Sequence, residues 1–356
     1  MRQHRYDFSP LTLSEFDTLT GQLSRLLSTK EAPVIIPGEA ILGIEAIAAG
    51  VSAPGRTILN IVTGPYGSLF GEWLTRGGSE VVEVVTAFDE VVTIEKIAAA
   101  IKEYCPCAIS FVQAEAITGG SNPTEKILEL ARQNNLITII DSVSAIGAEP
   151  VLMDEWNIDF VAVGPQKALA GPNGISAVGI SKRGWEFLEA NDYAPRNSIL
   201  SLLDYKDLSD RFTGRKVPAN ISVLEARALI EALNDIEQEG LINVNRRHSL
   251  SSKASIAGIK ALGLKPWQNK EVGFSPLNTT VRILSENKIK IEQSEGIIAP
   301  GDGDLYQKLI RINHYGASAN RRSVEEAIVI LARIMNKEPD EALTEIRSIW
   351  SDEDGK

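Results

Sequence analysis

A succession of short apolar runs, each separated from the next by a stretch with helical spacing, constrains this chain more than any other feature. Val34 to Ile36, Thr57 to Val62, Val81 to Val85, Ala108 to Val112, Leu136 to Ile140 and Phe160 to Val163 read as candidate strands of a sheet covered by helices on both faces. Such strands belong to a mostly parallel sheet, because a parallel pair needs a crossover and the crossover helix covers the sheet. One crossover is explicit. Asn122-Pro123-Thr124-Glu125 opens a helix through Ile127, Leu128, Leu130 and Ala131, with proline near the first turn and an amide or hydroxyl cap before it. Right-handed crossovers gather the loops after the strand C-termini along one edge, where open α/β sheets bind ligands.

Further along, Ile221 to Glu239 predicts a long amphipathic helix, with Val223, Leu224, Ala226, Leu229, Ile230 and Leu233 at helical spacing. The basic cluster Arg246-Arg247-His248 leads into a second helix ending near Gly263. Strand-like runs at Thr279 to Ile283 and Leu309 to Ile312, with a helix from Val324 to Met335, predict a smaller α+β unit. The expected division is a large α/β domain over residues 13–245 and a small domain made of residues 1–12 and 246–356. With 356 residues, 44% hydrophobic and 23% charged, the chain has enough apolar material for both cores. Ser351 to Lys356 reads as a solvated end.

A net charge of -11 argues against nucleic acid or anionic membrane as a partner, since both would be repelled at long range. No stretch approaches the roughly 20 apolar residues that span a bilayer. Met1 to Pro10 is polar rather than a basic segment feeding an apolar one, so a cytoplasmic address is expected. Cys105 and Cys107 lack a second Cys or His cluster to complete a metal site. No metal is expected, and both thiols read as small hydrophobes near the start of a strand.

Two strand ends carry the chemistry: Ile139-Ile140-Asp141 and Val161-Ala162-Val163-Gly164-Pro165-Gln166-Lys167. Each delivers a charge to the loop edge, and burying either charge alone is costly. A ligand with one cationic and one electrophilic centre satisfies both. Pyridoxal 5'-phosphate has a pyridine nitrogen that must be protonated and an aldehyde; a carboxylate stabilises the first and a lysine attacks the second. Asp at a strand end and Lys in a loop also occur in ordinary α/β proteins, so the pair alone leaves a structural reading open.

The surrounding motifs are more specific. Ile140-Asp141-Ser142-Val143-Ser144-Ala145-Ile146-Gly147, Asp154-Glu155-Trp156-Asn157-Ile158-Asp159, and Gly164-Pro165-Gln166-Lys167-Ala168-Leu169 followed by Gly171-Pro172-Asn173-Gly174 closely resemble the class V aminotransferases. Within that family the likeness is to the alanine–glyoxylate and serine–pyruvate branch. The resemblance implies the fold type I architecture of pyridoxal-phosphate enzymes: a mostly parallel central α/β sheet with a smaller α+β C-terminal domain. It also implies a homodimeric transaminase that moves an amino group between a small amino acid and a 2-oxo acid such as pyruvate or glyoxylate.

Carried over residue by residue, the family's roles make Lys167 the lysine that bonds the cofactor's aldehyde and shuttles the proton, and Asp141 the ligand of the pyridine nitrogen. Gln166 would lie beside the phosphate, and Ser144 and Thr118 would touch the cofactor. Phe70, in Gly67-Ser68-Leu69-Phe70-Gly71-Glu72, falls where the family places an aromatic ring on the cofactor face. Gly38, Glu39 and Ala40 correspond to the phosphate-binding turn at a helix N-terminus, and Arg215 and Lys216 to the basic segment that the partner subunit lends. Arg311, in Leu309-Ile310-Arg311-Ile312-Asn313-His314-Tyr315-Gly316, would grip the substrate carboxylate in a bidentate fork.

Departures from the pattern accompany these matches. Glu39-Ala40-Ile41 replaces the usual Ser-Gly-Thr or Ser-Gly-His, which removes the hydroxyl or imidazole that holds phosphate. In Gln113-Ala114-Glu115-Ala116-Ile117-Thr118-Gly119, Gln113 and Ala116 differ from the family's His-x-Glu-Thr-x-Thr-Gly. The chain also starts near His4-Arg5-Tyr6, past the Pro-Gly-Pro segment that covers the family's active site. Two rivals stand beside the transaminase. A class V lyase or desulfurase would need a mobile cysteine in the latter half, where Cys105 and Cys107 do not lie. A non-catalytic protein retaining the fold is motivated by the departures and opposed by the intact Asp141, Gln166, Lys167 and Arg311.

Overall fold

The computed structural model describes residues 9–206, 217–282, 297–306 and 308–354. The expected strands form one sheet: β1 (Val34–Ile36), β2 (Thr57–Val62), β3 (Glu80–Val85) and β4 (Ala108–Val112). After β4 come the short ladder strands β5 (Ala114–Glu115) and β6 (Gly120–Ser121), then β7 (Ile137–Asp141), β8 (Phe160–Val163) and β9 (Ser176–Ile180). The order across the seven-stranded sheet is β1-β9-β8-β7-β4-β2-β3. From β3 through β2, β4 and β7 to β8 every pairing is parallel. β9 runs antiparallel to both β8 and β1. It was not anticipated, because an antiparallel strand is reached through a turn and carries no crossover helix to announce it.

Helices cover the sheet: α1 (Leu13–Leu26), α2 (Ala40–Val51), α3 (Pro65–Arg76), α4 (Ile94–Tyr104), α5 (Thr124–Gln133) and α6 (Lys182–Glu189). α1 starts at a capping box in which Thr12 accepts from the Glu15 amide while the Glu15 side chain accepts from Thr12. β4, β7 and β8 are buried along their whole length, which explains their continuous apolar sequence. The expected helix at Asn122 begins at Thr124 with Pro123 as its cap. Asn122 does not cap it; its amide instead donates to Thr63 Oγ1 and the Val112 carbonyl, both at 2.8 Å.

The long helices α7 (Val223–Glu239) and α8 (Leu241–Ala261) lead to a second sheet of β10 (Thr279–Arg282), β11 (Ile298–Pro300) and β12 (Leu309–Ile312), ordered β10-β12-β11 and antiparallel. Val281, Ile310 and Ile312 from this sheet pack with Ile328 and Leu331 of α9 (Arg321–Ile334) and Ile346 of α10 (Asp340–Asp354) in an apolar cluster of their own. Val244 of α8 belongs to the main core, while Ala254 and Ile259 belong to the second. The division expected near residue 245 therefore passes through one continuous helix.

Ser351 is exposed, as a solvated end requires, and α10 runs on to Asp354. One local expectation is corrected. Cys105 is exposed, with a left-handed backbone (φ 46°) at the C-cap of α4, so only Cys107 behaves as a partly buried hydrophobe. Burial pushes the Cys107 thiol pKa up, which keeps it a protonated thiol.

Candidate active site

The loops after β2, β4, β7 and β8 converge at the C-terminal edge of the sheet, as the crossover argument requires. β7 ends on Asp141, which is 5% exposed and accepts from the Val143 amide at 2.9 Å. Burial pushes its pKa up, and the Lys167 ammonium pulls it back down. Lys167, in the turn after β8, donates to Ser144 Oγ at 2.6 Å. Burial pushes the Lys167 pKa down; the carboxylates of Asp141, Glu39 and Glu115 work against that, and the Arg311 guanidinium reinforces it. An amine so placed is closer to its neutral, nucleophilic form than a surface lysine.

The Lys167 ammonium lies 5.5 Å from the centroid of the Tyr66 ring. Tyr66 is the second residue of α3. Phe70 itself is 1% exposed and belongs to the main apolar core, one turn further along the same helix. Gly64-Pro65-Tyr66-Gly67 carried a readable signal, an aromatic residue between two glycines at a helix start. A Cβ on Gly64 would lie 2.3 Å from Glu115 Cδ, and one on Gly67 would lie 3.1 Å from the Ile61 carbonyl.

Glu115 is 1% exposed and accepts from the amides of Gly67 at 2.9 Å and Tyr66 at 3.4 Å. Burial raises its pKa to about 7, against the pull of those amides and of Lys167. Arg311 on β12 donates through Nε to the Pro300 carbonyl at 3.0 Å, and Nη2 lies 3.3 Å from Asp302 Oδ2. Its side chain is 18% exposed, so the guanidinium is reachable from solvent. Thr118 is tied to the second sheet, its carbonyl accepting from Thr280 Oγ1 at 2.6 Å, and its own buried hydroxyl has no partner. His314 is buried with Nε2 2.8 Å from Thr279 Oγ1, and burial drives its pKa to about 3.

At the other end of the site, β1 turns through Gly38 into α2. A Cβ on Gly164 would lie 2.9 Å from Ala40 Cβ, so the turn after β8 packs closely on the start of α2. Glu39 is the N-cap of α2: its carboxylate accepts from the Ile41 amide at 3.0 Å and from Gln166 Nε2 at 2.5 Å. A carboxylate therefore already occupies a helix N-terminus that would otherwise attract an anion. Arg215 and Lys216, and the His4-Arg5-Tyr6 segment, lie outside the described residues.

The two ends suit different chemistry. A protonated ring nitrogen and an aldehyde fit Asp141 and Lys167: burial pushes each towards its neutral form, and the opposite charge of the other works against that. A phosphate dianion does not fit the start of α2, where the Glu39 carboxylate holds the Ile41 amide.

The family described as aminotransferase class-V matches residues 38–273. A pyridoxamine–pyruvate transaminase of Mesorhizobium japonicum is 30% identical over 93% of this chain and 86% of its own length. The Drosophila melanogaster alanine–glyoxylate aminotransferase is 28% identical over 85% of this chain and 78% of its own length. Among solved structures, pyridoxamine-pyruvate aminotransferase from Mesorhizobium loti superposes with a TM-score of 0.91 at 28% identity, covering 99% of this chain and 92% of that one. Ureidoglycine-glyoxylate aminotransferase from Bacillus subtilis follows at 0.86 and 26%, covering 96% and 93%.

Proposed function

The chain belongs to the aminotransferase class-V family, has the fold type I architecture and carries out transamination that interconverts a small amino acid and its 2-oxo acid; we propose that the other partner, the amino donor, is an unphosphorylated pyridoxamine. Pyruvate is the acceptor, and pyridoxal and alanine are the products. The observation that carries this reading is the Glu39 carboxylate on the start of α2, bonded to the Ile41 amide and to Gln166. It leaves a polar, uncharged arm such as a hydroxymethyl group acceptable there and a phosphate unwelcome. The Mesorhizobium japonicum relative, a pyridoxamine–pyruvate transaminase, supports the same choice.

Each residue then has a task. Asp141 keeps the ring nitrogen protonated, which makes the ring an electron sink. Tyr66 covers one face of the ring. Lys167 Nζ, with Ser144 as its hydrogen-bond acceptor, attacks or releases the aldehyde carbon and moves the proton between that carbon and the α-carbon of the amino acid. Arg311 receives the carboxylate of the 2-oxo acid, exchanging its hold on Pro300 and Asp302 for a bidentate one.

The family's dependence on pyridoxal phosphate favours a second reading, in which the cofactor is resident and phosphorylated. It requires cations near Glu39 from Arg215 and Lys216 of a neighbouring subunit. In either case the protein works as a homodimer in the cytoplasm, on small molecules only. Incubation of purified protein with pyruvate and either pyridoxamine or pyridoxamine 5'-phosphate separates the two. We expect pyridoxal and alanine in equal amounts, with kcat/KM for the phosphorylated donor lower by about 100-fold, a loss of about 2.7 kcal/mol. Preference for the phosphorylated donor, or a phosphate-bearing chromophore that survives dialysis, overturns the proposal.

A further inference from the structure

Helix α3 begins without a cap of its own. Its N-cap is Gly64, which has no side chain to accept from the first turn, and Pro65 at the first helical position has no amide to offer. The amides left to satisfy at its start are those of Tyr66 and Gly67. Both point at one group, the carboxylate of Glu115, brought from β5 nearly fifty residues later: Oε1 accepts from Gly67 at 2.9 Å and Oε2, more weakly, from Tyr66 at 3.4 Å. The glycine at position 64 belongs to the same arrangement, since any side chain there would collide with the Glu115 carboxyl carbon.

We propose that Glu115 is a positioning residue for the transfer reaction: it caps α3 from across the sheet edge and so fixes Tyr66 against the ring bound at Lys167. The assignment rests on the reading of Tyr66 as the residue covering that ring. Burying a carboxylate at 1% exposure is unfavourable, and a serine or aspartate N-cap would ordinarily close such a helix start locally. A buried cap from a distant strand instead ties the helix start to the loop after β4, on the side of the site where Lys167 and Asp141 lie. The amide it holds belongs to Tyr66 itself, whose ring centroid is 5.5 Å from Lys167 Nζ. Asp141 and Lys167 are the charged groups that act on this carboxylate from β7 and the β8 turn, and Tyr66 is the titratable neighbour on α3.

A purely structural cap and a positioning cap differ in what a double-mutant cycle reads. Pyridoxal is the probe, titrated into the full chain and followed by its absorbance, with thermal midpoints measured in parallel. Tyr66→Ala should raise the Kd for pyridoxal about tenfold, and Glu115→Gln about fivefold, within the range that one stacked aromatic contributes. In the Tyr66→Ala background, Glu115→Gln should change Kd by less than about twofold, because its effect passes through the ring that is no longer there. If the two effects multiply, Glu115 does not act through Tyr66 and the proposal fails. If Tyr66→Ala weakens binding and Glu115→Gln alone does not, the proposal also fails while the reading of Tyr66 stands. If Tyr66→Ala leaves Kd unchanged, the reading of the ring site falls and the proposal with it. Should Glu115→Gln not fold, Gly64→Ala, which drives a methyl group into the carboxylate, takes its place in the cycle.

Discussion

Acidification should loosen this protein through His248 before it affects most surface groups. His248 is fully buried on α8, with Nδ1 2.7 Å from the Val244 carbonyl and Nε2 accepting the Gly316 amide at 3.1 Å. Nε2 can accept that bond only while the ring is neutral, and burial lowers the pKa from 6.5 to about 4. A group whose folded pKa is depressed contributes stability that is present above its unfolded pKa and lost as pH falls towards the folded one. The window here runs from about 6.5 down to about 4. Between about pH 7.5 and about pH 4.5, that difference corresponds to a loss of about 2.5 kcal/mol. Gly316 carries the effect to the active site, because a Cβ there would lie 2.9 Å from the Lys167 carbonyl. Arg247 grips the Gly316 carbonyl from the same helix. Urea unfolding at the two pH values, for the parent and for His248→Gln, isolates the contribution, since carboxylates such as Glu115 titrate equally in both. The parent should lose about 2.5 kcal/mol more than the variant over this interval. Parallel losses, within about 0.5 kcal/mol, would refute the assignment of a neutral, buried His248.

Other substitutions probe the site directly. Asp141→Asn should keep the bond to Val143 and the fold while slowing α-proton removal by about 100-fold or more, read by single-turnover absorbance. Arg311→Lys should raise KM for pyruvate at least about tenfold and leave the Kd for pyridoxamine unchanged, because an ammonium cannot make the bidentate fork. Gly316→Ala places a Cβ at φ +59°, against the Lys167 carbonyl and 3.2 Å from Ala170 Cβ, and should destabilise the chain by about 2–4 kcal/mol with a matching drop in activity. Glu39→Ser, tested by equilibrium dialysis, should improve retention of pyridoxal 5'-phosphate relative to pyridoxal by at least about tenfold.

The sequence was most legible where burial is continuous. Strands β2, β4 and β8 fall on the apolar runs that predicted them, since strands buried on both faces are mostly apolar and the few polar residues inside them, Asn60 and Ser110, are buried and bonded to each other. β9 and β11 were missed for the opposite reason: short antiparallel strands depend on pairing that no local pattern announces. The same contrast holds at the site. Asp141 and Lys167 could be singled out because a charge at the end of an apolar strand demands a partner. Tyr66 could not be separated from Phe70 by composition, because both are aromatic residues on the same helix. The Gly64-Pro65 helix start marks Tyr66 locally, whereas the carboxylate that accepts from the Tyr66 and Gly67 amides, that of Glu115, lies far away in sequence. Long-range capping of this kind is invisible to any rule that looks for a cap beside its helix.

Glu39 and Glu115 occupy comparable positions, each on the start of a helix that faces the ring site, and with Asp141 they surround Lys167 with negative charge. That field selects among ligands. A protonated pyridine ring brings a positive charge that the carboxylates favour, whereas a phosphate dianion brings two negative ones. At about 4 Å and an effective dielectric near 20, each unit of like charge opposed to Glu39 would cost about 4 kcal/mol. The Ile41 amide is held by the Glu39 carboxylate and the Leu42 amide by the Glu39 carbonyl, and one remaining amide to a charged acceptor returns only about 1.5–3 kcal/mol, less than that cost. Either cations arrive from outside the described residues, or the ligand carries no phosphate. The second choice needs no further group, and it also explains why Gln166, expected beside a phosphate, is instead bonded to a carboxylate. An amide between Glu39 and the ring site can turn its remaining donor or its carbonyl oxygen, buried and without a partner, towards a hydroxyl on the incoming ring.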